Sequence, residues 1–163
     1  MLNSAKSSNI PPVINALVSY LLLPSLSCVK VLREGDYAKR EDHAVKNITL
    51  IDMWEGGHPE NTCGYLIEAE KLTLVETGPG PSGERILDII KEKGFRPADL
   101  KYVILTHIHL DHAGAAGYLL RNCPAAQLIV HPSGARHMAD PSKLIAGART
   151  AFEDFDTRFH QIF

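Results

Sequence analysis

Four side chains of types that commonly bind metal ions lie within six consecutive residues of this 163-residue sequence. They are His107, His109, Asp111 and His112, in the segment Thr106-His-Ile-His-Leu-Asp-His-Ala-Gly114. Imidazole and carboxylate groups are ligands that suit zinc, iron and manganese. A spacing of two along an extended chain would place the first three on one side, while a turn of the backbone would aim His112 at a neighbouring point. The spacing therefore predicts a metal site.

The elements predicted around this segment place it at the end of a buried strand. Lys101–Leu105 is apolar after its first residue, which is typical of a strand covered on both faces. A helix of small residues is predicted from Ala113 to Arg121, ended by Asn122 and Pro124. Open α/β sheets have their functional sites at the carboxyl ends of strands. The segment has the position of such a site.

The rest of the sequence predicts a layered α/β domain. Further strands are predicted at Ile48–Trp54, Cys63–Ile67, Leu72–Thr77 and Gln127–Val130. One helix is predicted at Gly83–Lys93 with Ser82 as its N-cap, and another begins at Asp140–Pro141. The strands first form a meander and then alternate with helices, an order that favours an α/β fold.

The segment resembles a known family signature. Its HxHxDH pattern is similar to that of the metallo-β-lactamase-fold hydrolases, and the nearest members are the glyoxalase II-type thioesterases. The resemblance runs from about Asn47 to Phe152 and includes a turn at Thr77–Gly78. The family usually has an aspartate before that turn, where this chain has Glu76. The resemblance implies an αββα layered fold with a mixed sheet covered by helices, of which this chain would form the N-terminal half.

The resemblance also implies a two-metal hydrolase. His107 and His109 would hold the first ion, and Asp111 and His112 the second. Zinc is the expected metal, as one or two ions, with iron or manganese as alternatives. A hydroxide held by the ions would attack the substrate, and Asp111 would orient it as a catalytic residue. The expected substrate is a small thioester, ester or lactone.

The second half of such a site is not recognisable in the sequence. Of the later histidines, His160 does not resemble the family's missing ligand loop, and His137 is predicted to be exposed in a short polar helix. His131 follows a strand at the same end of the sheet as the HxHxDH segment, and it is either a loop histidine, which is favoured, or part of the mouth of the site. We therefore expect 47–163 to be a partial metallo-β-lactamase-like domain with low activity as an isolated chain. A non-catalytic metal-binding or interaction module and a phosphodiester-cleaving relative are the alternatives.

A line of phenylalanines suggests a partner. Phe152, Phe155 and Phe159 are predicted on one side of the helix that begins at Asp140–Pro141. Nothing after them in the sequence would cover this strip, and exposed apolar strips often mark an interface. We expect a second copy of the chain or another protein to cover it.

Composition narrows the class of protein. Apolar residues make up 45% of the chain and charged residues 22%, which is typical of globular domains. A net charge of −2 gives no support for nucleic acid as a partner. The three cysteines are odd in number and form no CxxC pair, which favours a cytoplasmic protein with reduced thiols.

Residues 1–46 are predicted to be an extension that precedes the domain. Its apolar run, Val13–Leu26, is too short for a stable membrane-spanning helix. Two interpretations are open for this run: a secretory signal, or a hydrophobic element that packs on the fold. The single Lys6 and the helix-breaking Pro24 weaken the first.

Overall fold

A five-stranded mixed sheet organises residues 47–159, which are the residues that this computed structural model describes. The strands are β1 (Ile48–Asp52), β2 (Cys63–Ile67), β3 (Leu72–Val75), β4 (Leu100–Ile104) and β5 (Gln127–Ile129). They lie in sequence order, with β1, β2 and β3 antiparallel and β3, β4 and β5 parallel. The predicted α/β class with a mixed sheet is confirmed. The predicted extension 1–46, with its apolar run, and His160 lie outside the described residues.

Six α-helices accompany this sheet within the described range. They are α1 (Ser82–Glu92), α2 (Leu110–Ala113), α3 (Ala116–Asn122), α4 (Pro132–Ala139), α5 (Ser142–Ala151) and α6 (Phe155–Arg158). Short 3-10 turns lie at Glu55–Gly57 and Pro97–Asp99. Helices α1 and α3 contact each other, and both contribute to the main core. Between residues 47 and 159, no helix has the length and apolar character needed to cross a membrane.

The burial of each strand follows its place in the sheet. In β1 and β2 only one face is buried, so Ile51 and Leu66 lie in the core while Leu50 and Tyr65 are exposed and pair across the strands. Every residue of β3 is buried. This difference is typical of a sheet whose antiparallel edge has a free face and whose parallel part is covered.

The main core combines side chains of β1 to β4 with those of the two helices that contact each other. Its fully buried side chains include Leu74, Ile86, Ile90, Val103 and Leu119. The predicted first helix is confirmed, but Ser82 is its first residue rather than its N-cap. The physical reason is that the Ser82 hydroxyl donates to the buried carbonyl of Met53 at 2.8 Å, instead of accepting from its own helix.

The predicted helix from 113 to 121 is two shorter helices, α2 and α3, and the first begins inside the HxHxDH segment. The break follows from contact between backbones. Ala115 N donates to Gly78 O at 3.2 Å, and a Cβ on Gly114 would lie only 2.9 Å from Gly80 N. Gly114 thus allows the loop after β3 to lie directly against the junction of the two helices.

The prediction of an exposed strip of phenylalanines is wrong for two of the three residues. The helix ends at Ala151, and Phe152 has an extended backbone before α6 begins. This turn folds Phe155 and Phe159 inward, where they are buried with Leu110. Phe152 alone of the three is exposed, at 39%. The strip predicted to require a partner is therefore covered largely by the chain itself.

Candidate metal centre

The centre forms where β3 and β4 end side by side. These strands are parallel, and their last residues, Val75 and Ile104, are register partners. The chain leaves β3 through Glu76 and leaves β4 through Leu105 and Thr106. Because carboxyl ends of parallel strands meet at one edge of a sheet, residues distant in sequence become neighbours here.

Glu76 bends the chain at the end of β3. Its φ is 62°, in the left-handed region that non-glycine residues rarely adopt, so the strand predicted to reach Thr77 ends at Val75. The amide of Glu76 donates to Ile104 O at 2.9 Å. Its Oε1 accepts from Thr106 N, also at 2.9 Å. These bonds direct a buried carboxylate, whose side chain is only 7% exposed, towards the metal-binding segment.

The loop after β3 also positions His112. Thr77 donates to the backbone oxygen of His112 through both its amide, at 2.8 Å, and its hydroxyl, at 2.9 Å. His109 O accepts from the amides of His112 and Ala113, which opens α2. The expectation of an extended chain through Asp111 is therefore wrong, since Asp111 lies in the first turn of this helix.

The side chains of the segment lie close together. The ring centroids of His107 and His112 are 4.0 Å apart, and those of His107 and His109 are 4.8 Å apart. His112 Nε2 lies 3.2 Å from Asp111 Oδ2, and its Nδ1 lies 3.4 Å from Glu76 Oε2. His112 is thus flanked by two carboxylates.

Three residues converge most closely on one point. Glu76, His107 and His112 each offer a ligand atom, and these three atoms lie within 4.8 Å of one another. His109 and Asp111, which the sequence also predicted as ligands, lie beside this trio but are not part of it. Glu76 was recognised from sequence as a departure from the family pattern, and not as a member of this cluster. The signal that could have identified it is a carboxylate directly after a buried strand.

Two features of the His107 ring favour metal binding. Burial lowers its pKa below the ordinary value, and the neighbouring His112 lowers that pKa further. A lower pKa favours the neutral imidazole, whose free ring nitrogen is the form that binds metals. Thr106 Oγ1 and His107 Nδ1 share a hydrogen bond of 2.9 Å, which orients the ring.

The positions of two buried atoms in this cluster fit coordination of a metal ion better than a hydrogen bond between the two atoms. Glu76 Oε2 and His112 Nδ1 are buried without a hydrogen-bond partner, although they lie 3.4 Å apart. Ligand atoms about 2.0–2.1 Å from a tetrahedral zinc ion lie roughly 3.4 Å from each other. The donor types and their separation therefore fit a divalent cation.

His131 lies at the same end of the sheet, after β5, but has a local role. Its Nδ1 accepts from Ser133 N at 3.2 Å and lies 2.6 Å from Ser133 Oγ, so the ring caps the start of α4. The exposed His131 is therefore a helix-capping residue.

Parts of the chain are similar in sequence to known proteins. The chain is 32% identical over 83 residues to the probable hydroxyacylglutathione hydrolase glo2 of Schizosaccharomyces pombe, which covers 50% of this chain and 32% of that protein. It is 43% identical over 70 residues to the N-acyl homoserine lactonase AttM of Agrobacterium fabrum, which covers 43% of this chain and 25% of that protein. It thus spans about a third or less of the length of these relatives.

A solved structure and a family profile also match a large part of the chain. A metallo-β-lactamase from Cronobacter sakazakii, a mutant of its HARLDQ motif, superposes with a TM-score of 0.50 and 28% identity. That superposition covers 58% of this chain and 35% of the other. The profile of the metallo-β-lactamase superfamily, whose members bind metal ions, matches residues 57–160. The chain belongs to the metallo-β-lactamase superfamily.

Proposed function

We propose that this protein is a metal-dependent hydrolase of small acyl substrates, namely thioesters, esters or lactones. The observation that carries the proposal is the convergence of two partly exposed imidazoles and a buried carboxylate at the carboxyl ends of β3 and β4, in a chain of this superfamily. The names of two relatives support the substrate class, since one is a probable hydroxyacylglutathione hydrolase and the other an N-acyl homoserine lactonase.

Zinc is the metal we propose, held by ligands drawn from the HxHxDH segment. The family resemblance assigns His107, His109, Asp111 and His112, and their closeness supports that assignment. Zinc would supply a Lewis acid that activates water at neutral pH and polarises a carbonyl oxygen. Neutral His107, with its ring held by Thr106, supplies a nitrogen ligand without first losing a proton.

Asp111 lies where its carboxylate can accept a proton or a hydrogen bond. Its side chain is 33% exposed, so it reaches solvent, while Oδ2 lies 3.2 Å from His112 Nε2. We assign Asp111 Oδ2 as the acceptor that orients an attacking water molecule towards the acyl carbon. The helical turn that carries Asp111 is held at its start by the hydrogen bonds to His109 O.

The net charge of the chain favours a small-molecule substrate, and its free thiols favour a cytoplasmic location. A net charge of −2 provides no general attraction for a polyanion such as nucleic acid. Cys63 and Cys123 are free thiols, which is typical of a reducing compartment.

The test is hydrolysis of a thioester and a lactone by the zinc-loaded chain. We expect slow hydrolysis that a chelator abolishes, that returns when zinc is added back, and that is lost in His107→Ala and His112→Ala. His131→Ala is the matched control, since it removes a histidine at the same sheet edge that only caps α4. Metal binding with no hydrolysis of either substrate would contradict the proposal and favour a non-catalytic metal-binding module.

A further inference from the structure

We propose that Gly134 is a positioning residue of the metal centre. Its missing side chain leaves a hollow on α4 that receives Ile108, the residue between His107 and His109. Helix α4 in this way sets the positions of the two histidines. The inference rests on the proposed function, because it concerns the metal ligands that such a hydrolase uses.

The contact between Gly134 and Ile108 leaves no room for a side chain at position 134. Of the residues of α4, only Gly134 is buried. A Cβ on Gly134 would lie 2.8 Å from Cγ2 of Ile108 and 3.1 Å from Cγ2 of Val130. Carbon atoms in contact are normally about 3.5–4.0 Å apart. An added methyl group would therefore overlap the Ile108 side chain by roughly 1 Å.

The atom that would be displaced belongs to a side chain with little freedom to turn away. Ile108 is β-branched, and such side chains have few accessible rotamers at χ1. Its Cγ2 is bonded directly to Cβ, so a push on this atom is transmitted to the backbone between His107 and His109. A shift of roughly 1 Å exceeds the ~0.5 Å within which the groups of a site must be held.

Helix α4 also packs against residues on both sides of the HxHxDH segment. Met138 lies one turn after Gly134 on the same face of the helix. It packs against a buried cluster that includes Leu105 and Ala113. Leu105 precedes the segment and Ala113 directly follows it. One face of α4 therefore supports the middle of the segment and the cluster that flanks it.

Backbone hydrogen bonds hold α4 in place beside the segment. Gly134 N donates to the backbone oxygen of His131 at 2.8 Å. This bond does not use the imidazole, so His131→Ala leaves it intact. Leu105 N donates to Ile129 O at 3.0 Å, which joins the chain that leaves β4 to the end of β5. The position of Ile108 relative to α4 is therefore fixed through the backbone.

Zinc affinity tests the role of Gly134, measured for the full chain by competition with a chromophoric chelator. Gly134→Ala should weaken zinc binding by about 10–100-fold, the effect typical of residues that support a metal ligand. Gly147→Ala makes the same chemical change where nothing lies within 4 Å of the new Cβ, and should bind zinc as the unaltered chain does. Adding Ile108→Ala to Gly134→Ala removes the overlapping methyl group, so the double variant should bind zinc more tightly than Gly134→Ala.

A spectroscopic measurement separates a shift of the ligands from a loss of stability. With Co²⁺ in place of zinc, Gly134→Ala should change the energy and intensity of the visible absorption bands, whereas Gly147→Ala should not. Circular dichroism checks folding, and should Gly134→Ala fail to fold, Ile108→Ala takes its place. That variant adds no atoms but removes the side chain that fills the hollow, so its zinc affinity should also fall by about tenfold or more.

The outcomes distinguish this inference from the proposed function. Unchanged zinc affinity and cobalt bands in Gly134→Ala, with hydrolysis by the unaltered chain, would overturn the inference and leave the hydrolase intact. Weaker zinc binding in Gly134→Ala but not in Gly147→Ala, without any hydrolysis by the unaltered chain, would support the inference and overturn the proposed function. An unaltered chain that binds no zinc would overturn both.

Discussion

Glu76 combines two unfavourable features in one residue. Its left-handed backbone costs on the order of 1–3 kcal/mol, and its buried carboxylate adds a desolvation cost. The Thr106 amide offsets part of this cost. Such strain persists where the surrounding structure enforces it, and here the enforcing contacts are those that build the candidate metal centre.

Cys123 provides a prediction at the scale of one residue. Burial raises the pKa of its thiol to about 11. Because the thiolate is the reactive form and populates only as the pH approaches that value, iodoacetamide should modify Cys123 far more slowly than Cys63 between pH 7 and 9. Mass spectrometry of each peptide measures this, and the half-buried Cys63 is the internal control. Equal rates at pH 8 would show that Cys123 is open to solvent.

The elements that carry the candidate ligands depend on close backbone contact. Helix α2 is one turn long and lies against the loop after β3, through Thr77 and the Gly114 junction. A helix this short has little stability of its own, so tertiary contacts must hold it. The position of His112 therefore depends on residues outside its own helix.

Two glycine substitutions test this dependence. Gly114→Ala should destabilise the fold by about 1–3 kcal/mol, because the new Cβ would lie 2.5 Å from Leu110 O and 2.9 Å from Gly80 N. Gly147→Ala is the matched control in exposed α5, where nothing lies within 4 Å, and should stabilise by roughly 0.5–1 kcal/mol. Urea unfolding measures both. A neutral Gly114→Ala would mean that the loop does not lie against α2.

The bounds of a strand could be predicted from the sequence where they depend on a local pattern of residues. Cys63–Ile67 was predicted with its observed bounds, since alternation and turn residues are local signals. The strand predicted to reach Thr77 ends earlier because Glu76 turns towards Thr106, which is 30 residues away. No local pattern reports a hydrogen bond over that distance.

At the scale of the whole molecule, the C-terminal helices support the candidate site. Phe155 and Phe159 are buried against Leu110, the first residue of α2, and side chains of α5 pack around them. Phe159 also contacts the exposed Phe152 edge to face, with ring centroids 5.4 Å apart. The segment 142–159 is therefore part of the packing that fixes the metal-binding segment.

Phenylalanine variants test this support. Phe155→Ala should reduce the free energy of unfolding by about 3–5 kcal/mol, because it removes a buried ring beside Leu110. Phe152→Ala, at a ring that is 39% exposed, should cost less than about 1.5 kcal/mol. Chemical unfolding compares the two variants. Similar losses for both would contradict the burial of Phe155 described here.

The sequence by itself determined the class of fold and identified the segment that carries the candidate metal ligands. Residue spacing and apolar runs are local properties, so His107 and His112 could be identified as candidates without coordinates. Only the tertiary structure decided that Glu76 lies beside them, that α2 begins inside the segment, and that two phenylalanines turn inward. The physical reason is that each of these outcomes depends on contacts between residues far apart in the chain.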